Sequence, residues 1–318
     1  MAILAFLNTI FLKLVGYLLS VVLLFSGAAP AGTAIEAKEP NVKLQFGVVA
    51  DVHMETYTLF RFEGFANVLK DMGAAKTKQD ALVLVGDNTM NGQPTEYIML
   101  YGLLSQYNKA ANTLVAMGNH DLNRSTYKTP DAIARHNFFF QSYTGIIHGG
   151  IYYESDDGLV MVDGALPSVF TQRINGYTFI ILGDEDPQED TTATISELQL
   201  DWLAGTLKSA PAGKPVFIFL HQQLGHSFGG WGSVGEQSEA IREIIEQYPN
   251  VFFFNGHLHR PFEVRQTGGV TYVNLPTLLS GGTNGIGCQV EAYENKVLLR
   301  ARNYITGQWL GEPIEVAL

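Results

Sequence analysis

The feature that most constrains this chain is a series of short apolar runs that each end in polar side chains able to do chemistry. The clearest run, at residues 113–117, is followed directly by Gly118, Asn119, His120 and Asp121. A continuous apolar run is typical of a buried strand, and ligand sites in open α/β sheets lie at the carboxyl ends of strands. An amide, an imidazole and a carboxylate in a row therefore indicate a functional site rather than a turn alone.

Four other apolar runs end in the same way. Each is short enough for one strand, and each is followed by a histidine, an aspartate or both. The runs at residues 44–50, 81–85, 215–220 and 251–254 end, in order, at Asp51 and His53, at Asp87, at His221, and at His257 and His259. Taken singly, any of these ends is also consistent with a turn or a hydrogen-bonded core histidine. Five of them in order favour a single shared site.

The order of elements predicts an α/β fold. Helical spacing at residues 62–72 and 94–107 separates the first three predicted strands, which gives a β-α-β-α-β series. Later elements are predicted as strands at 177–182, 215–220 and 251–254, helices at 195–207 and 238–248, and β-runs at 263–266, 270–274, 289–293 and 296–303. Turn signals and aromatic residues in 122–176 predict hairpins and loops inserted near the site. We therefore expect one domain over residues 42–318.

Composition and charge narrow the function classes. The 318 residues are 46% hydrophobic and 16% charged, so the chain can bury a large core and is not disordered. Its net charge of −11 argues against nucleic-acid binding, which draws on basic surface. With Cys288 as the single cysteine there is no internal disulfide, and its surroundings predict a buried small residue rather than a nucleophile.

The first 34 residues differ from the rest. Lys13 is their only charge, and Ser20 is the one polar interruption in the apolar run at residues 14–25. Small residues follow, so a cleavage site is expected after Ala31 or Ala34. Residues 1–34 therefore predict a signal peptide or a membrane anchor. In either case we expect an exported protein that is secreted, periplasmic or associated with the cell envelope, with a possible membrane tether.

The polar residues at the strand ends have the chemistry of metal ligands. Carboxylate, amide and imidazole donors together suit Mn, Fe or Zn, and the absence of cysteine among them argues against a structural zinc site. Seven side chains are too many for one tetrahedral ion, and a carboxylate can bridge two ions about 3.5–4 Å apart. We therefore predict two divalent metal ions, with the candidate ligands Asp51, His53, Asp87, Asn119, His221, His257 and His259. Alternation along an extended chain would aim Asp51 and His53 the same way, and likewise His257 and His259.

Five motifs thus occur in one order along the chain. They are Asp51-x-His53, Gly86-Asp87, Gly118-Asn119-His120-Asp121, His221 and Gly256-His257-x-His259. In this order they resemble the calcineurin-like metallophosphoesterase family, over about residues 44–260. The resemblance implies a two-sheet β-sandwich with mixed sheets, flanked by helices, with the metals at the carboxyl ends of the strands. It also implies that one ion is held by Asp51, His53, Asp87 and His259, and the other by Asp87, Asn119, His221 and His257.

The same resemblance implies hydrolysis of phosphate mono- or diesters as the activity, with a small phosphate ester as the substrate. A hydroxide that bridges the two ions would attack phosphorus in line, and the ions would stabilise the developing negative charge. His120 would be the general acid that protonates the leaving oxygen rather than a ligand, and Asp121 would orient it. Two alternatives stay open: a metal-binding module of the same fold without turnover, and a hydrolase of nucleotide pyrophosphate bonds.

Two positions bear on the type of phosphoesterase and its substrate. Met90 lies three residues after Asp87, where a purple acid phosphatase is expected to have a tyrosine, so that subgroup is not favoured. His226 lies in a loop rich in glycine and aromatic residues. It is as consistent with a solvated histidine as with a substrate contact.

The remaining polar candidates have weaker signals. His136 and His148 are interpreted as structural or surface residues. The acidic run Asp184-Glu185-Asp186 is interpreted as a solvated turn, which is the usual state of such runs. Arg124 could meet a phosphate oxygen, but nothing in the spacing requires it.

We predict that residues 1–34 direct export, because they are apolar, nearly uncharged and end in small residues. A reporter fused after residue 40 is expected outside the cytoplasm, whereas the same fusion without residues 1–34 stays inside. Cell fractionation measures both. Recovery of the two fusions in the cytoplasm alone would refute this reading.

Overall fold

The structure is a computed structural model. It describes residues 32–122, 132–144, 151–155, 158–162, 169–185, 191–225, 227–230, 232–278 and 285–318. Most of the predicted export signal, residues 1–31, lies outside that part of the chain. Within the described ranges, no helix has both the length and the apolar character that crossing a membrane requires.

The described residues form five helices and seventeen strands. The helices are α1 (Leu59–Gly73), α2 (Pro94–Tyr107), α3 (Ala132–Thr144), α4 (Glu197–Lys208) and α5 (Ser238–Ile245). The strands are β1 (Leu44–Val49), β2 (Ala81–Val85), β3 (Asn112–Ala116), β4 (Ile151–Ser155), β5 (Gly158–Val162), β6 (Phe170–Ile174), β7 (Tyr177–Ile181), β8 (Val216–Phe219), β9 (Gln223–Leu224), β10 (Ser233–Val234), β11 (Val251–Asn255), β12 (Glu263–Thr267), β13 (Val270–Asn274), β14 (Ile286–Ala292), β15 (Lys296–Asn303), β16 (Gln308–Trp309) and β17 (Ile314–Ala317). The elements predicted from hydrophobic periodicity agree with these bounds to within a few residues.

Two mixed sheets organise the chain. The first has the order β16-β15-β14-β1-β2-β3, with β17 also paired to β15, and the second has the order β12-β13-β11-β8-β7-β6. Strands β1, β2 and β3 are parallel in the first sheet, and β7, β8, β11 and β13 are parallel in the second. Parallel strands end at the same edge of their sheet, so the polar residues that follow them are brought together.

A shared aromatic core joins the two sheets. The Phe46 ring of β1 lies 4.9 Å from that of Phe179 in β7 and 5.0 Å from that of Phe217 in β8, measured between ring centroids. The Phe219 and Phe254 rings stack at 5.1 Å within the second sheet, and all five side chains are fully buried. Side chains that alternate along β8 and β11 therefore fill the space between the sheets.

The opposite face of the second sheet has its own core. Ile218 and Phe253, which alternate with the residues just named, pack in one cluster with Trp202 of α4 and Ile241 of α5. Helices α1 and α2 join the main core instead and contact each other. The predicted α/β two-sheet sandwich flanked by helices is thus confirmed.

The insertion at residues 122–176 is only partly as predicted. Hairpins form where turn signals occur, between β4 and β5 and between β6 and β7. The expectation of loops and hairpins alone was wrong, because residues 132–144 form helix α3. Its His136 ring stacks on Phe140 and lies edge-on to Tyr97 of α2, and Phe139 stacks on Tyr97. The aromatic run therefore packs one face of a helix on α2, which no local turn signal reveals.

The segment before β1 is attached to the first sheet. Ile35 is fully buried, and the Arg302 guanidinium donates to the Thr33 carbonyl at 2.8 Å. The same guanidinium pairs with the Asp71 carboxylate of α1 at 2.7 and 2.8 Å. Contacts with the sheet therefore begin upstream of residue 42.

Candidate metal centre

The five predicted strand ends meet at one edge of the sandwich. The first sheet supplies Asp51 and His53 after β1, Asp87 after β2 and Asn119 after β3, and the second supplies His221 after β8 and His257 and His259 after β11. Hydrogen bonds that involve backbone groups tie the sheets together at this edge. The His221 Nδ1 contacts the Val85 carbonyl at 2.8 Å, and the His257 backbone N–H donates to Asp51 Oδ2 at 3.1 Å.

Five of these seven residues have a left-handed backbone. Their φ angles are 57° at Asp51, 48° at His53, 49° at Asp87, 66° at His257 and 50° at His259. This conformation is uncommon outside glycine and clusters at functional sites. The prediction that these pairs lie on an extended chain was therefore wrong. Asp51 and His53 do reach the same cluster, but the expectation that His257 and His259 are aimed the same way was wrong. The chain turns sharply at these positions, and His257 and His259 enter different groups.

Asp51, His53, Asp87 and His259 form the first cluster, which we name group 1; each offers one ligand atom, and these atoms lie within 4.8 Å of one another. The His259 Nε2 lies 3.0 Å from Asp51 Oδ1 and 3.1 Å from the His53 Nε2. The His53 Nε2 is also 3.8 Å from Asp87 Oδ2. Two imidazole nitrogens and two carboxylates thus converge on one point.

The second cluster, group 2, consists of Asp87, His221 and His257, and its ligand atoms also lie within 4.8 Å of one another. The His221 Nε2 is 3.1 Å from Asp87 Oδ2, and the His221 and His257 rings meet edge to face at 5.0 Å. Asn119 is buried, and its Oδ1 has no hydrogen-bond partner within the part of the chain that the structure describes. Asp87 belongs to both groups, as the bridging position requires.

The buried carboxylates and imidazoles of the site shift one another's pKa values. Burial alone would raise the pKa of Asp51 and Asp87, but the neighbouring histidines outweigh burial and hold both carboxyl groups below their usual range. Burial alone would lower the pKa of His221, but the Asp87 charge and hydrogen bond raise it to about 9. Burial, together with the charge of His221, lowers the pKa of His257 to about 4. The carboxylates are therefore ionised and draw positive charge into the site.

These residues fit two cations. The Val85 carbonyl can only accept, so His221 Nδ1 carries a hydrogen. The other nitrogen, Nε2, faces Asp87, and in the neutral ring its lone pair can bind a cation. The buried Asn119 Oδ1, which no described residue hydrogen-bonds, is a further oxygen atom able to bind a cation. Ligand atoms about 2.0–2.2 Å from an ion lie roughly 3–3.5 Å apart. The 3.0–3.1 Å separations in groups 1 and 2 are close to this.

His120 lies beside both groups without joining either. Its Nδ1 contacts the Met90 carbonyl at 2.7 Å, and its Nε2 is 4.0 Å from Asp87 Oδ2. The side chain is 13% exposed, whereas His221 is fully buried, so His120 can still be reached from solvent. Residues 119–122 form a turn rather than an extended strand, so the alternation of a strand does not set the direction of the His120 side chain.

The expected role of Asp121 was wrong. Its Oδ1 accepts from the Thr89 backbone N–H and hydroxyl at 2.9 and 2.7 Å, and its Oδ2 accepts from the Asn88 amide groups and the Gly118 backbone N–H. These donors occupy both oxygens, and the Met90 carbonyl holds His120 instead. Asp121 therefore fixes the loops after β2 and β3 against each other. Burial, with the charge of Asp87, raises its pKa.

Two glycines of the motifs allow close approach of the chain to these ligands. A Cβ on Gly118 would lie 2.2 Å from Asp87 Oδ1, and one on Gly256 would lie 2.5 Å from Asp51 Oδ2. Sequence reasoning also missed Arg61 of α1, whose guanidinium donates to the His53 carbonyl at 2.8 Å. The only signal for Arg61 was its position just after the Asp51-x-His53 motif.

Of the weaker candidates, His136 packs in the aromatic cluster and Cys288 is buried, as expected. The interpretation of Asp184 as part of a solvated turn was wrong, since its side chain is buried and accepts from the Thr194 backbone N–H at 2.8 Å. Glu185 accepts from Ser196 ahead of α4, so both acids organise that helix start. The residues Asp186, His226, His148 and Arg124 lie outside the described part of the chain.

Comparison with known proteins identifies a family. A family model described as calcineurin-like phosphoesterase matches residues 44–261. A 3',5'-cyclic-nucleotide phosphodiesterase of Nostoc sp. is 25% identical over 250 residues, which are 74% of this chain and 80% of that protein.

Solved structures share the fold. A dimetal phosphatase from Danio rerio has a TM-score of 0.60 at 13% identity, over 87% of this chain and 99% of that one. A purple acid phosphatase from yellow lupin, Lupinus luteus, has a TM-score of 0.58 at 13% identity, over 86% of this chain and 53% of that one. At such identities the likeness shows the fold alone.

We predict that Asp87→Ala removes more bound metal than any other single change, because Asp87 belongs to both groups. Elemental analysis after loading with Mn²⁺ is expected to give about two ions per wild-type chain and far less metal in the variant. Asp184→Ala, which deletes another buried carboxylate outside both groups, is the control and is expected to keep both ions. Equal metal in the two variants would contradict the bridging assignment.

Proposed function

The chain belongs to the calcineurin-like phosphoesterase family, and on that premise we propose that it is an exported two-metal phosphodiesterase. Family membership, the curated relative and the clustered ligands make it a metal-dependent phosphoester hydrolase. The finer assignment to phosphodiesters is supported by the relative's name, which is that of a cyclic-nucleotide phosphodiesterase. Nucleotide phosphodiesters are accordingly the first substrate class to test.

One observation carries the proposal. Groups 1 and 2 share Asp87, and His120 Nε2 lies 4.0 Å from the same Asp87 carboxylate. Ligands and a proton donor therefore converge on one small volume, as two-metal hydrolysis requires. A metal-binding module without turnover would have no need of a partly exposed histidine held beside the ligands.

His120 has the geometry of a general acid. The Met90 carbonyl can only accept, so Nδ1 of His120 carries a hydrogen and the ring is fixed in one orientation. A second proton, on Nε2, makes the ring cationic. That proton faces the site, where a leaving oxygen can take it. Removal of that proton restores the neutral ring without breaking its bond to Met90.

The remaining site residues would hold the two cations. When bound, two cations would supply positive charge to the phosphoryl oxygens and lower the pKa of a water molecule. Asp51, His53, Asp87 and His259 would hold one cation, and Asp87, Asn119, His221 and His257 the other. Mn, Fe and Zn all suit these oxygen and imidazole donors, and we propose that the metals are drawn from these three.

The place of action is part of the proposal. The apolar, nearly uncharged residues 1–34 support export, as a signal peptide or as a membrane tether. The chain would then meet its phosphate ester outside the cytoplasm.

A substrate screen tests the function. The purified chain, loaded with Mn²⁺, is assayed on bis(p-nitrophenyl) phosphate, p-nitrophenyl phosphate, a cyclic nucleotide and a nucleotide with a pyrophosphate bond. Diester hydrolysis is expected to exceed monoester hydrolysis and to disappear in Asp87→Ala. Preferred cleavage of the pyrophosphate bond would support that alternative, and no turnover in a chain with two bound ions would support the binding module.

We predict that His120→Ala keeps both metals but loses protonation of the leaving group. The rate loss is expected to be about 10²–10⁴ on an alkyl ester, because an alkoxide leaves badly, and small on a p-nitrophenyl ester, whose anion is stable. Wild type and variant are assayed on both substrates, with metal content measured in parallel. Equal losses on the two substrates would mean that His120 binds phosphate instead, and loss of metal would make it a ligand.

A further inference from the structure

The loop at residues 225–232, between β9 and β10, is the rim loop; it follows closely after His221 and reaches His257. Strands β9 and β10 pair in parallel and close its base. Its described residues are 225, 227–230 and 232. None of the five motifs includes it, yet it contacts group 2.

Three arginines donate hydrogen bonds to this loop and to the end of β9. Arg242 of α5 donates to the Leu224 carbonyl at 2.7 Å and to the Ser227 hydroxyl at 2.9 Å. Arg265 of β12 donates to the Ser227 carbonyl at 2.9 Å, and Arg260 donates to the Phe228 carbonyl at 2.9 Å. Hydrogen bonds of charged donors are among the strong ones. Side chains from α5, from β12 and from the segment just before β12 therefore hold Ser227 and Phe228 in place.

The loop is also anchored from below. Phe228 is 3% exposed and belongs to the core under α4 and α5. The Gln223 side chain accepts from the Phe228 backbone N–H at 3.0 Å and donates to the Gly229 carbonyl at 3.2 Å. On its other side, Gly232 directly precedes β10, which pairs with β9 and whose Ser233 carbonyl accepts from the Ala193 backbone N–H at 3.1 Å. This strand limits how far Gly232 can shift outward.

Gly232 lies directly against the imidazole of His257. A Cβ on Gly232 would be 2.1 Å from His257 Nε2 and 2.5 Å from Cδ2, closer than real Cβ contacts come. His257 cannot retreat easily, because its own backbone N–H donates to Asp51 Oδ2 and its φ is 66°. With both backbones fixed, a side chain at position 232 would have to turn the imidazole away from Asp87 and His221.

We propose that Gly232 is a positioning residue for group 2. Because it has no side chain, the rim loop can lie directly against the His257 imidazole and keep that ring oriented toward the second metal. The inference rests on the proposed two-metal function. It adds a residue from outside the five motifs to the machinery of the site.

The chain offers a matched control for this proposal. Gly229 lies in the same loop with φ 74°, close to the 70° of Gly232, but a Cβ on Gly229 would meet no atom of the described residues within 4 Å. Alanine at either position therefore bears the same left-handed backbone strain. Alanine at 232 alone meets the His257 ring.

The test titrates wild type, Gly232→Ala and Gly229→Ala with Mn²⁺ alone, by calorimetry and elemental analysis. Wild type and Gly229→Ala are expected to bind two ions. Gly232→Ala is expected to bind the first as wild type does and the second about 10–100-fold more weakly, the range seen when support of a ligand is lost. Equal affinity of the two variants for the second ion would overturn the proposal. A wild type with one ion or none would instead refute the two-metal function, and with it this inference.

A double-mutant cycle keeps the proposal testable even if Gly232→Ala folds poorly. His257→Ala removes the ring, so an added methyl at 232 has space. In that background Gly232→Ala is expected to lower the Tm no more than Gly229→Ala does. A cost at 232 that persists without the His257 ring would show that the clash lies elsewhere and would overturn the proposal.

Discussion

The structure of the site depends on one buried carboxylate, that of Asp87. Its Oδ1 accepts from the His120 backbone N–H at 2.8 Å, and its Oδ2 faces the His221 Nε2 at 3.1 Å and the His53 Nε2 at 3.8 Å. Asp87 is 2% exposed, and an unpaired charge at such a position is very costly. Positive charge must therefore gather around it, which explains why imidazoles from both sheets converge there.

The convergence of these residues requires a strained backbone. Left-handed backbone costs roughly 1–2 kcal/mol at a residue with a side chain, and Asp51, His53, Asp87, His257 and His259 all adopt it. The strain is sustained because each loop follows a buried strand with parallel neighbours, so the ladder and the phenylalanine core fix the point at which the chain must turn. The rigid sandwich thus holds these residues in a backbone conformation that their own conformational preferences disfavour.

The sequence predicts the elements well, because continuous apolar runs such as residues 81–85 have few other solutions than a buried strand. Within each sheet it also brings the polar strand ends to one edge, which follows from the parallel strands; the packing of the two sheets then brings the two edges together. Details that depend on long-range contacts were missed. Asp121 adjoins His120 in the chain, yet its oxygens are taken by Asn88, Thr89 and Gly118. Helix α3 is likewise stabilised by packing on Tyr97, which residues 132–144 do not encode by themselves.

The two sheets are joined at the site before any cation is considered. Asp51 of the first sheet accepts from the His257 backbone, and His221 of the second contacts the Val85 carbonyl of the first. Each ligand group also draws on both sheets, since Asp87 meets His259 in group 1 and His221 in group 2. A cation bound in either group would thus cross-link the two sheets, and because it would bind the folded chain it would also stabilise the fold. The same link means that a change in the packing between the sheets alters both groups together, because neither sheet holds a complete ligand set.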